Sequence, residues 1–445
     1  MLDILFYIPS NLFGWPMFGI GILLFVWAAA SGGLLTYLVR KQGWNADTRG
    51  YVPVLLLIGA VICFLLNLLI EARGLPIRGY GTMVLLGVAS GIWLAAVRGK
   101  RAGLNVELIF SLALWLFVAG MVGGRTFYVI EYWKKQFVKP TIGETIAAVA
   151  NISQGGLVVF GAFIGATTAF IIFARMNRLP VLGTFDLIAP SMVLGLAIGR
   201  LGCFLHGCCY GGTCSLPWAV TFPYNSPPHL KQATDGLTDL HGIKLRIEKD
   251  ASGELLFSGP PVIASVEPNS DAEKAGLKND DVLLEIDTQD PTEKTISSRS
   301  MIANVGDAQS ALLRITSPGT LITVHSKRQP EPISWTVPAP LARSKPVHPV
   351  QIYAALDALI LCLFLLAWYP YRRWDGELLA WMLSLHAISR YLQEVLRTDE
   401  GGVFGTGLSI SQNISIAMFV VGLGLWCYLW KYGERRLNFY RPSGI

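Results

Sequence analysis

Apolar and polar positions in this chain do not mix at the spacing of a soluble core; the apolar residues are gathered into long runs. A helix that crosses the hydrocarbon layer needs roughly 20 mostly apolar residues. About nine runs approach that length, near 15–38, 52–70, 80–97, 106–124, 156–174, 183–204, 350–370, 377–395 and 409–430. Lipid offers backbone N–H and C=O groups no outside partner, so each run is predicted to be helical. Between 125 and 155 the chain is aromatic-rich but too polar to span, which predicts an interfacial arm with Tyr128, Tyr132 and Trp133 at headgroup level. Residues 206–242 are rich in Gly, Pro and Tyr and predict an irregular head loop. From 243 to 340, strand-like runs (KLRIE, PVIASVE, DVLLEID, TLITVHSK, ISWTVP) bracket a helix at about Ala303–Arg314, as in a small α+β module.

The expected architecture is therefore an all-α polytopic membrane protein of about nine transmembrane helices with an inserted α+β domain. Residues 1–205 hold six helices and the arm, 206–242 the head loop, 243–340 the insert, and 341–445 three more helices and the C-terminal tail. A composition 52% hydrophobic and 15% charged agrees with this and excludes an ordinary soluble enzyme. The clusters Arg40/Lys41/Arg49, Arg98/Lys100/Arg101, Arg175/Arg178, Arg372/Arg373 and Lys431/Arg435/Arg436/Arg441 fall on alternate loops. By the positive-inside rule they face the cytoplasm, leaving the N-terminus and the insert extracytoplasmic. The same clusters explain the net charge of +6, so no nucleic-acid partner is needed. The first apolar run is long for a signal peptide and is read as a retained span.

Ionisable residues inside spans are costly and mark candidate chemistry. Arg200 lies in GLAIGRLGCFLHGCCYGG, Gly195–Gly212, whose glycines, including Gly207 and Gly211, permit close backbone approach to a ligand or to another helix. His386, Arg390 and Glu394 recur every four residues and share one helical face. Arg125 and Asp186 sit near span ends, and His348 opens the span after the insert in HPVQIY. Several arginines with histidines beside glycine loops suit a phosphate-bearing lipid headgroup, because guanidinium binds phosphate oxygens bidentately. Of seven cysteines, Cys63, Cys362 and Cys427 read as small apolar span residues, while Cys203, Cys208, Cys209 and Cys214 cluster at a membrane boundary. A disulfide is open there; without a paired C-x-x-C, no metal site is expected.

Two resemblances follow from these motifs. Ser265–Asp287, SVEPNSDAEKAGLKNDDVLLEID, resembles the PDZ pattern of bacterial proteases, which binds a peptide as an added strand. Pro260 and Pro261 remove backbone donors from the expected carboxylate loop, so a docking role for envelope proteins stands beside peptide binding. Across the membrane part, GGRTFYV from Gly123, GGLVVFGAFIG from Gly155, FDLIAPSMVLGLAIGRLGCFLHGCCYG from Phe185, HPVQIY, HAISRYLQEVLR and SISQNISI resemble bacterial prolipoprotein diacylglyceryl transferases in order and kind.

That resemblance implies an inner-membrane enzyme without cofactor. It would act on phosphatidylglycerol and lipobox preproteins, with Arg200 and Arg390 stabilising the leaving phosphate and Glu394 orienting Arg390. It also implies substrate contacts for Arg125, Gly155, Gly156, Gly161, Cys203, Gly207, Gly211, His348 and Tyr353. Phe160 occupies a position where the family often carries histidine, leaving His206 and His386 as candidates to accept the thiol proton. A catalytically silent lipid or preprotein receptor is the alternative, and a phosphorylated-solute transporter a third reading. The two spans between about 52 and 97 and the insert are expected to be additions to the family pattern.

Overall fold

A computed structural model describes residues 4–70, 74–138, 141–151, 156, 158–249, 255–289, 298–397 and 407–433. Arg435, Arg436, Arg441 and Gly155 lie outside them. The chain forms two compact units, Met1–Leu85 and Leu86–Ile445.

In the first unit, strand β1 (Ile4–Ile8) pairs antiparallel with β4 (Leu75–Arg78), and β2 (Asn11–Leu12) with β3 (Trp15–Pro16). Helix α1 (Ile22–Gln42) is followed by α2 (Ala46–Ala60), which contains Pro53 and passes into a π turn, Val61–Leu65, and a 3-10 turn, Leu66–Leu69. The run expected as a span over 52–70 is therefore helical through Leu69, but its winding changes from α to π and then to 3-10 after Ala60.

Helix α3 (Gly79–Arg101) leads into the second unit, followed by α4 (Val106–Tyr132), α5 (Ile142–Ala150), α6 (Val159–Met176) and α7 (Val181–His206). Beyond the insert come α11 (Val350–Trp368), α12 (Glu377–Val395) and α13 (Ile410–Tyr432). Among the described residues six helical stretches are long and apolar enough to cross a membrane: Ile22–Lys41, Gly79–Arg101, Val106–Tyr132, Val181–His206, Val350–Tyr371 and Ile410–Tyr432. The protein is polytopic, but three of the nine expected spans fall short. Tyr51–Phe64 and Phe160–Met176 are shorter apolar stretches, and α12 carries Glu377, Arg390 and Glu394 within its 19 residues. The expected arm also begins later, since α4 continues through Arg125 and Tyr128 to Tyr132 before a π turn at Trp133–Phe137.

Small residues decide how closely these helices approach. A Cβ on Gly161 of α6 would lie 2.4 Å from the Gly123 carbonyl oxygen of α4, and one on Gly165 2.4 Å from that of Ala119. No real side chain tolerates such distances, so the α4–α6 contact exists because glycine is there. Between α7, α11 and α12 the seam is Ala189, Val193, Ala197, Ala358, Leu361, Cys362, Leu365 and Leu378. At one end of α7 the fully buried Asp186 accepts the N–H groups of Gly376 (2.8 Å) and Leu379 (3.1 Å), and the Arg372 guanidinium lies 3.6 Å away. Arg98 stacks over Tyr369 and donates to the Leu187 carbonyl at 2.8 Å.

The stretch expected to be irregular contains helix α8 (Pro227–Thr234), started by proline in its first turn and burying His229 and Gln232. It belongs to one core with the insert: Tyr224 and Leu240 pack with Ile243, Ile263, Leu283, Leu312, Ile322 and Trp335. The insert comprises β5 (Ile243–Leu245), β6 (Glu248–Lys249), β7 (Leu255–Leu256), β8 (Ile263–Val266), α9 (Asp271–Lys274), β9 (Leu283–Gln289), β10 (Ser298–Met301), α10 (Val305–Leu313), β11 (Leu321–Ser326) and β12 (Ile333–Thr336). Its main sheet runs β10-β9-β11-β12, all antiparallel. The chain enters and leaves through one stem, where Thr213 and Val220 bridge to Val347, and Phe222 and Ser344 exchange hydrogen bonds.

Candidate functional site

The site forms where α7 ends. Gly207 closes that helix in the left-handed conformation (φ 87°), its N–H donating to the Cys203 carbonyl at 2.8 Å. A Cβ there would press on the Phe222 ring at 3.0 Å. The following loop is pinned on two sides. Gly211 N–H donates to the His348 carbonyl (3.0 Å), Gly212 N–H to the Leu396 carbonyl (2.9 Å), and Gln351 Nε2 to the Cys208 carbonyl (2.6 Å). A Cβ on Gly211 would sit 2.7 Å from His348 Cβ and 2.9 Å from the Leu396 oxygen, so this glycine lets the end of α12 and the start of α11 meet the loop.

A carboxylate organises the cations beside that loop. Glu394, 4% exposed, lies 2.6 Å from Arg390 and 3.2 Å from Arg397, and accepts a hydrogen bond from Ser409 Oγ at 3.2 Å. Arg390 also donates to Ser411 Oγ at 2.9 Å. Since Ser409 caps α13 through a reciprocal box with Gln412, the ion pairs tie two helix ends together. Arg200, half-buried on α7, has no hydrogen bond or ion pair among the described residues; its charge acts on Cys203, Cys209 and His386. An arginine held among membrane helices without a carboxylate of its own leaves its five donors for an anion.

The charges of Asp357 on α11, Arg200 and Arg390 all act on His386, whose Nδ1 is buried without a hydrogen-bond partner among the described residues. Asp357 in turn accepts hydrogen bonds from Ser389 and, at 3.3 Å, from Gln393. Arg397 and Asp357 were not singled out from sequence, although the signal was present. Arg397 follows Glu394 by three residues on the same charged stripe, and Asp357 is an acid within an apolar run. His206, the last residue of α7, is exposed. His348 Nδ1 lies 3.4 Å from the Tyr353 hydroxyl, which accepts the Trp218 indole N–H at 2.8 Å.

Arg125, Gly156 and Gly161 belong to a second assembly, the α4–α6 pair. Arg125 donates to the carbonyls of Ala148 (2.8 Å), Val149 (2.9 Å), Asn151 (2.7 Å) and Gly156 (3.1 Å), which clamps the end of α5 and the chain approaching α6. Gly156 has φ 83°, and a Cβ on it would strike the Tyr128 ring at 2.5 Å. Phe160, 41% exposed near the start of α6, presents only carbon. The absence of a paired C-x-x-C had argued against a metal site, yet folding brings the sulfurs of Cys203, Cys208 and Cys209 within 4.8 Å of one another.

Buried ion pairs beside an arginine that has no partner among the described residues, all on polytopic helices, describe a membrane protein with a candidate anion site. The chain matches the family model of prolipoprotein diacylglyceryl transferase over residues 67–428 and belongs to that family. It is 33% identical over 460 residues to the phosphatidylglycerol–prolipoprotein diacylglyceryl transferase of Rhodopirellula baltica, an alignment covering 96% of this chain and 89% of that protein. The Clostridium tetani enzyme of the same name is 36% identical over 159 residues, 36% of this chain and 61% of that protein. For Trichormus variabilis the figures are 36% identity over 160 residues, 36% and 55%.

Proposed function

We infer that this multi-pass inner-membrane protein is a transferase of lipoprotein maturation. It moves the diacylglyceryl group of phosphatidylglycerol to the cysteine thiol of a prolipoprotein. The bond from the glyceryl carbon to the phosphate oxygen breaks, a carbon–sulfur bond forms, the thiol proton is lost, and glycerol phosphate leaves. A displacement of this kind needs the leaving phosphate's charge met by fixed cations and the thiol's proton accepted nearby.

The observation that carries the site assignment is Arg200, without a partner among the described residues, beside the Arg390–Glu394–Arg397 network. In this reading Arg200 and Arg390 bind the phosphate, and Glu394 holds Arg390 in place so that little reorganisation is needed during reaction. His386, on which the charge of Asp357 acts, is the favoured proton acceptor over the exposed His206. A groove of about 340 Å³ lined by Ala387, Ile388, Tyr391, Leu392, Ser415, Ile416 and Phe419 lies between α12 and α13 and suits an acyl chain. Cys203, Gly207, Gly211, His348 and Tyr353 surround the headgroup end, while Arg125, Gly156 and Gly161 act through the α4–α6 frame.

The finer topology belongs to the same proposal: nine crossings, with the N-terminus and the PDZ-like insert extracytoplasmic and the C-terminus cytoplasmic. The insert offers an extended peptide or an envelope protein a docking module above the membrane. Purified protein incubated with phosphatidylglycerol and a lipobox peptide is expected to release glycerol phosphate and form a thioether. Lipid and peptide binding without either product would favour the silent receptor, a reading drawn from Phe160.

A further inference from the structure

We propose that Cys203, Cys208 and Cys209 form a three-sulfur site for a single soft cation of the zinc(II) or copper(I) class, built into the loop that closes α7. The inference stands independently of the transferase reading.

The chain path produces the convergence. Cys203 lies in the last turn of α7, Gly207 reverses the backbone, and Cys208 N–H donates to the Cys203 carbonyl at 3.2 Å. Cys209 then adopts a left-handed conformation (φ 58°), uncommon for a residue with a side chain. The result is three sulfurs within 4.8 Å of one another, each on a half-buried residue and none in a disulfide. Metal–sulfur bonds of about 2.3 Å would separate the sulfurs of a trigonal site by about 4 Å, within reach of small side-chain adjustments. Neighbouring hydrogen bonds hold the loop to His348, Leu396 and Gln351, so a ligand would find its donors already gathered.

The donor set selects the ion class. Thiolates favour zinc and copper(I) over magnesium or calcium, which require oxygen. Three thiolates around a divalent ion leave one net negative charge, and the guanidinium groups of Arg200 and Arg397 both act on Cys209. On binding, each thiol releases its proton to solvent and a metal–sulfur bond forms; no electron is transferred.

The test is a titration of the full chain, purified in detergent, reduced and metal-free, with cadmium(II) as the probe. The ultraviolet charge-transfer band of cadmium thiolate is expected to rise to saturation at one equivalent. The same band is expected in a chain with Cys63, Cys214, Cys362 and Cys427 all changed to Ser. Cys203→Ser, Cys208→Ser and Cys209→Ser are each expected to weaken binding by more than the about 10-fold typical of losing a supporting outer-shell group, with thermal midpoints near that of the parent. Absence of a saturable band, or its survival in the protein lacking all three cysteines, overturns the proposal. So does thiol counting on untreated protein that finds two of the three joined as a disulfide.

Discussion

Asp186 of α7 and Arg372, just before α12, face each other at 3.6 Å with both side chains almost fully removed from solvent. The same carboxylate accepts the backbone N–H groups of Gly376 and Leu379, so it also caps α12 from a different helix. Breaking a buried ion pair typically costs about 3–5 kcal/mol, moderated here by Asp375, a second carboxylate 3.7 Å from Arg372. Asp186→Asn is therefore expected to lower the thermal midpoint of the detergent-solubilised protein sharply. Combining it with Arg372→Met should cost less than the sum of the single changes, and strict additivity would show that the two charges do not interact.

Arg200 has no hydrogen bond or ion pair among the described residues to disturb, so its replacement should separate chemistry from folding. Arg200→Ala is expected to reduce turnover by about 10²–10³-fold, the usual effect of losing one charge-stabilising donor, while the melting temperature stays close to wild type. Arg200→Lys should recover part of the loss, because ammonium keeps the charge but not the bidentate fork. Full activity in Arg200→Ala would refute the site assignment.

Gly161→Ala tests the α4–α6 frame. The added methyl would meet the Gly123 oxygen at 2.4 Å and Phe127 Cβ at 2.5 Å. Overpacking of this kind typically costs about 1–3 kcal/mol. The expected result is a lower unfolding temperature; an unchanged one would mean that the helices can separate freely.

The module formed by α8 and the insert should weaken in mild acid. Burial lowers the pKa of His229 and of His241 below the ordinary imidazole value, and both ring nitrogens of His229 are buried without hydrogen-bond partners. The folded state keeps these rings neutral, whereas the unfolded chain protonates them near pH 6.5. Below that pH the unfolded state binds more protons, so this stability is present above about 6.5 and declines as pH falls. Thermal unfolding followed between pH 5 and 8 should show the decline, and His229→Leu should flatten it. A slope unaffected by that substitution would assign the effect to other groups.

Long-run hydropathy made the membrane helices legible, because lipid forces their backbones into one conformation whatever the side chains. Period-two runs revealed β5, β8, β9, β11 and β12 of the insert but not β7 or β10, whose short sequences LL and SRSM carry no alternation, and Arg200, Arg390 and Glu394 stood out as charges in apolar segments. Helix α8 was hidden because its sequence, PPHLKQAT, carries turn-like residues, and tertiary burial of His229 and Gln232 decides its state. Asp357 was missed because its meaning lies in Ser389 and Gln393 on another helix. The meeting of Cys203 with Cys209 depends on two left-handed residues on either side of Cys208, Gly207 and Cys209, that no periodicity reports.

The stem at Thr213–Phe222 and Ser344–Val347 brings the two ends of a long excursion side by side. To α7 and α11, the whole module between them is therefore equivalent to a short turn. Exchange of that module for another, or its outright deletion at the stem, would therefore ask no change of register in the helices on either side, because the two chain ends already meet there.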